Sequence, residues 1–148
     1  MKLSKSSVWD AQRVAAYLDS TVVPARLAVA REEYPLLCSL WYRYNADREV
    51  IQCVSHASSY LIKVLKKSTK VAFEIAENMP PYCGVRGAGD VTLTRDGAEE
   101  VLSSLLQRYL DSSNASLADW LLSRVDQEYV IEIQPAQVSA WDYSNRMS

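Results

Sequence analysis

A mainly β fold with flanking helices is what the sequence predicts: an α+β chain built round a small antiparallel β-barrel. Three observations carry this. Five or six apolar or aromatic segments of strand length follow one another along the chain. Neighbouring segments are joined by short polar turns, Glu32–Glu33–Tyr34–Pro35 and Asn45–Ala46–Asp47–Arg48, the connection that antiparallel neighbours use. Helical periodicity is confined to the joins. Barrel closure removes exposed edges, which suits a chain of 148 residues. No repeat, low-complexity run or linker divides it, so one domain over residues 1–148 is expected.

Asp10 to Ser20 reads as an N-terminal helix, residues 10–20, with Asp10 as N-cap and Ala11, Val14, Ala15 and Leu18 at helical spacing. Pro24 ends it, because the residue before a proline is pushed toward extended geometry. Ala25 to Arg31 is the first strand, with Leu27 and Val29 on one face and Arg26 and Ala28 on the other. Leu36 to Tyr44 is the second, rich in aromatics, and Glu49 to Ser55 the third; together they suggest a meander. Ser58 to Lys67 reads as a helix with Leu61, Val64 and Leu65 on its apolar face and Ser58 or Ser59 as cap. Lys70 to Ala76 and Val85 to Thr94 are strands, parted by a loop holding Pro80 and Pro81. Gly97 to Tyr109 follows the helical repeat without a miss. A shorter helix runs from Leu117 to Arg124 with Ser116 as cap. The last strand, Tyr129 to Ile133, resumes after Pro135 through Trp141.

The composition is 49% apolar and 23% charged, ordinary for a globular chain, with a net charge of −2. That balance argues against a general nucleic-acid or membrane-surface binder, which carries a basic field, yet leaves room for one local basic pocket. Cys38, Cys53 and Cys83 form no paired spacing, and with His56 as the single histidine a zinc site would need all four to converge, so no metal is expected. Reduced thiols, no apolar leader segment and no run near the ~18 apolar residues of a membrane span point to a cytoplasmic protein.

Few residues carry chemistry. A hydrolase triad would have to use His56, and no Gly-x-Ser-x-Gly elbow is present. Gly84-Val85-Arg86-Gly87-Ala88-Gly89 runs into a strand, whereas phosphate loops run into a helix. Gly87 and Gly89 therefore either let a strand bend or admit a flat ligand against its backbone. Ser55-His56-Ala57-Ser58-Ser59 before a helix offers hydroxyls and free amides to an anion, or simply caps the helix. Trp41, Tyr42 and Tyr44 on one strand, with Trp141 and Tyr143, either stack on a planar ligand or fill the core and a subunit contact.

Read together, these segments resemble the flavin-binding split barrels related to pyridoxamine 5′-phosphate oxidase. The likeness runs from about Pro24 to Met147. It rests on Pro24-Ala25-Arg26-Leu27-Ala28, Ser39-Leu40-Trp41-Tyr42, Ser55-x-x-x-Ser59 leading into Lys63-Val64-Leu65, Lys70-Val71-Ala72, Pro81 to Gly89, Arg108-Tyr109-Leu110, and Trp141-Asp142-Tyr143-Ser144-x-Arg146-Met147. The resemblance implies a small antiparallel split β-barrel, a homodimer, flavin mononucleotide (FMN) at the subunit interface and flavin-dependent oxidoreductase activity on an unknown small-molecule substrate. It implies that Cys38, Ser39, Leu40 and Trp41 line the isoalloxazine, that Ser55 and Ser59 face the phosphate with Arg26 as a helper, and that Trp141 and Arg146 approach the partner's flavin. The lysine that holds the phosphate in the family is Leu61 here, and the family's proline and threonine are Ser39 and Ser55. Leu61 thus has two readings: a phosphate-facing position, or the core face of its helix. The alternative function is a degenerate, non-catalytic split-barrel dimer that binds another small ligand or none.

Overall fold

The computed structural model describes residues 1–148. Its first helix, α1 (Ala11–Ser20), is capped as the sequence expects: the Asp10 carboxylate accepts from the Arg13 amide at 2.8 Å, and Val14 and Leu18 are fully buried. Seven strands follow: β1 (Ala25–Val29), β2 (Leu36–Leu40), β3 (Arg43–Asn45), β4 (Val50–His56), β5 (Lys70–Ala76), β6 (Cys83–Thr94) and β7 (Glu128–Asp142). All pair antiparallel in one sheet, in the order β2-β1-β5-β6-β7-β4-β3. Three further helices serve as covers and a fourth ends the chain: α2 (Tyr60–Leu65), α3 (Ala98–Tyr109), α4 (Ala115–Leu122) and α5 (Ser144–Met147).

That order makes the sheet a split barrel. β2 and β3 lie at its opposite edges, yet only Trp41 and Tyr42 separate them in the chain. Three steps of extended chain reach about 10 Å at most, so the sheet curls until its edges meet. The segment expected as one strand, Leu36 to Tyr44, therefore breaks at Trp41–Tyr42, and the meander is replaced by hairpins (β1-β2, β3-β4, β5-β6) closed by β7. Side chains take over the backbone pairing at the break. The Tyr42 amide donates to the Tyr109 hydroxyl at 3.3 Å, and that hydroxyl lies 2.9 Å from the Val23 carbonyl. Tyr42 turns inward, with no exposed surface, and its hydroxyl lies 2.9 Å from the carbonyls of both Leu18 and Thr21. It is a core residue, so of its two readings the core one applies.

Other boundaries shift for local reasons. Ser59, not Ser58, caps α2, its hydroxyl accepting from the Ile62 amide at 3.2 Å. α4 begins after Asn114, so Ser116 lies inside it. β7 runs without interruption through Pro135, which stands opposite Gly89 where the β6–β7 register shifts; a bulge there absorbs the missing amide. The segment before α1 lies along β7: the Ser4 amide donates to the Val138 carbonyl at 2.7 Å and the Val138 amide to the Lys2 carbonyl at 2.9 Å. Arg108 fastens α1 from the far side, reaching the Asp19 and Thr21 carbonyls at 2.6 Å each. No helix is long and apolar enough to cross a membrane.

Candidate functional site

A cleft of about 280 Å³ opens at the split. One wall is the end of β2, with Ser39, Leu40 and Trp41; the facing wall is the end of β4, with Val54, Ser55 and His56. Leu102 and Leu105 of α3 and Leu121 of α4 cover it, and Arg124 and Glu128 close one end. Local structure places each. Trp41 sits where the barrel breaks, and its ring stacks on Tyr109 at 5.4 Å with planes only 9° apart. Val54 stands opposite Val130 on the face that α3 covers, and His56 stands opposite Glu128. Ser55 alternates to the other face, where its hydroxyl lies 2.9 Å from that of Ser59.

Four of the expected ligand residues, Ser39, Leu40, Trp41 and Ser55, thus border one cleft, with the Ser55 hydroxyl turned from the Val54–His56 face toward Ser59. The others lie elsewhere. Cys38 points inward against the core, and burial pushes its thiol pKa up. Arg26 is on the outer face of β1, donating to the Asn78 side-chain oxygen at 2.5 Å, with Glu74 3.8 Å away. Leu61 is 5% exposed and belongs to the core, with Ile62, Val64 and Leu65 of the same helix. Of its two readings, the structure supports the core one. Trp141 is 13 residues farther along β7 than Glu128, or ~40 Å of strand. It packs on Tyr143, over whose ring Arg146 also lies, so within one chain both stand apart from the cleft.

The glycine-rich stretch serves its own strand. A Cβ on Gly87 would lie 2.7 Å from the Phe73 ring and 2.5 Å from the Gln137 carbonyl oxygen. What approaches that backbone is the chain itself, so the structural reading of Gly87 holds. His56 is held by its turn. Nδ1 accepts from the Ser58 amide at 3.1 Å, which leaves the Nε2 proton for Gln127 Oε1 at 2.9 Å. No carboxylate orients the ring, and no three His, Cys, Asp or Glu side chains converge as metal ligands.

Arg124, Glu128 and the α3 and α4 leucines escaped the sequence reading. Glu128 opens an apolar strand, where a charged residue ordinarily faces solvent; here it is 3% exposed. The outer face of the sheet is the second feature the fold creates. Leu37, Ala28, Ala72 and Ala88 stand in register across four strands, uncovered by any helix, beside a row made of Ser39, Arg26, Glu74, Arg86 and Ser139.

No family model and no curated protein matches the sequence. Solved structures do match. A conserved hypothetical protein from Mycobacterium tuberculosis superposes with a TM-score of 0.75 at 17% identity, over 100% of this chain and 94% of that one. A Listeria innocua protein assigned as a pyridoxamine 5′-phosphate oxidase gives 0.67 at 13%, over 87% and 95%. An FAD-binding protein from Mesorhizobium loti gives 0.62 at 21%, over 89% and 94%. The chain therefore has the split-barrel fold found among flavin-binding proteins, as the resemblance in its sequence implied.

Proposed function

We propose that the protein is a cytoplasmic flavin-binding split barrel, one domain per chain, that works as a homodimer and serves as a flavin-dependent oxidoreductase, with FMN as its flavin. The observation that supports this is the convergence of Ser39, Leu40, Trp41 and Ser55 on one cleft from strands at opposite edges of the sheet. These are residues the resemblance assigns to the ring and the phosphate.

The residues present fit the ring better than the phosphate. The cleft is just below the ~300–1,000 Å³ usual for ligand pockets. Leu40, Trp41, Val54, Leu102, Leu105 and Leu121 give it an apolar and aromatic lining, interspersed with Ser39, Ser55, His56, Arg124 and Glu128. It has room for a ring system while the ribityl phosphate lies outside, toward the Ser55 and Ser59 hydroxyls. The core position of Leu61 removes the family's ammonium from the phosphate, and hydroxyls alone form weaker bonds to an anion than charged donors do. A bound flavin would supply the hydride or electron transfer; the chain supplies position, electrostatics and exclusion of water. The uncovered row Leu37, Ala28, Ala72 and Ala88 supplies an apolar face for a second copy.

Purification without added flavin tests the reading. A yellow protein that releases FMN on denaturation, at twice the chain mass by light scattering, is expected. A colourless protein that binds no flavin in titrations refutes it; if that protein is still a dimer, the degenerate barrel is favoured, the reading that the burial of Leu61 supports.

A further inference from the structure

The half-buried Arg124–Glu128 ion pair that lines the cleft is incompletely used; the Arg124 side chain is 31% exposed. Glu128 is 3% exposed, and its one hydrogen bond is from Arg124 Nε to Oε1 at 3.2 Å. Its second oxygen accepts nothing, although a carboxylate has room for about four hydrogen bonds. The two terminal nitrogens of Arg124 donate to no protein group; the guanidinium carbon lies over the Trp120 ring, 4.2 Å from its centroid. The exposed pair Arg48–Glu132 shows the contrast. There the guanidinium grips both carboxylate oxygens, at 2.6 and 2.9 Å. A carboxylate out of water would gain more from that fork than an exposed one does, yet Glu128 keeps one oxygen, and Arg124 two nitrogens, without a protein partner, on two residues that line the cleft.

An acceptor beside a donor complements a neutral group that presents N–H beside C=O. The paired charges sum to zero, so the end of the cleft favours no phosphate dianion. The leucines, Val54 and Trp41 that make up the apolar part of the lining suit a flat, apolar body behind that polar edge. Resting on the flavin reading above, we propose that Glu128 and Arg124 recognise the imide edge of the isoalloxazine: Glu128 accepts the N3 proton and Arg124 donates to a flanking carbonyl. The ring, rather than the phosphate, is then the main source of affinity and selectivity.

The test uses the full-length protein, with riboflavin and 3-methylriboflavin as probes, followed by fluorescence quenching. The methyl group replaces the N3 proton and leaves the rest of the molecule unchanged. Riboflavin should bind about 10-fold or more tightly than the methylated probe, the value of a charge-assisted bond. In Glu128→Gln, the amide oxygen takes the Arg124 bond and its NH2 faces the ligand. The preference should fall to near unity. Equal binding of the two probes by the parent protein overturns the proposal while leaving flavin binding intact. A preference that persists undiminished in Glu128→Gln shows a steric effect of the methyl group and also overturns it. Absence of any flavin binding overturns both readings. The parent protein's comparison of probes stands even if the variant does not fold.

Discussion

Replacing Leu61 by lysine pits the two roles of that position against each other. Leu61 is 5% exposed and packed in the main core. The substitution forfeits a buried leucine, ~1.5–3 kcal/mol, and places an ammonium with no partner beside apolar neighbours. The sum is about 3–5 kcal/mol, near the cost of an uncompensated buried charge. Because α2 is only six residues long, the lysine stem has a short path to water, which favours the lower end. A chain of this size loses ~2–4 °C per kcal/mol, so the melting temperature should drop by roughly 6–20 °C. Leu61→Ala is the control: a cavity without a charge, at ~2–4 kcal/mol. Thermal unfolding followed by circular dichroism gives the stability, and titrations with FMN and riboflavin give the affinities. No gain for FMN over riboflavin is expected. An unchanged melting temperature together with a tenfold gain for FMN alone would show that the side chain faces a phosphate, and would refute the core assignment.

Three further outcomes follow from the geometry. Arg108→Met should cost ~2–3 kcal/mol in urea unfolding, because its guanidinium closes the end of α1 on the Asp19 and Thr21 carbonyls; stability unchanged within 0.5 kcal/mol, on the order of a neutral surface substitution, would show that the cap is dispensable. Burial pushes the Cys53 thiol up to about 12, so at pH 8 it stays protonated. A thiol reagent should label Cys53 only after denaturation, whereas fast labelling of Cys53 in the native protein would contradict its burial. The Arg48 hydrogen bonds hold the Glu132 carboxyl below the usual range, with Gln52 assisting. Its stabilisation is full above the ordinary carboxylate pKa and is lost as pH falls through the depressed folded value. Arg48→Met should therefore move the midpoint of acid unfolding to higher pH, and a midpoint that stays put would remove Glu132 from the acid response.

Local pattern was enough to place most elements. Periodicity located α1, α3 and most of the strand segments, and Asp10 announced its own cap, because each of these depends on neighbours a few residues away. The resemblance likewise drew Ser39, Leu40, Trp41 and Ser55 into one ligand set before their meeting place was known. The barrel's break at Trp41–Tyr42 was not legible, since it exists only because β2 and β3 occupy opposite edges of a curled sheet and Tyr109 arrives to receive the freed amide. Leu61 fitted two patterns at once, helix face and family spacing, and burial decided between them. Arg124 and Glu128 were the furthest from reach. A charged pair in sequence looks the same in water or in a cleft, and only the packing of α3 and α4 beside the end of β7 takes the Glu128 side chain out of water and sets it in the cleft lining.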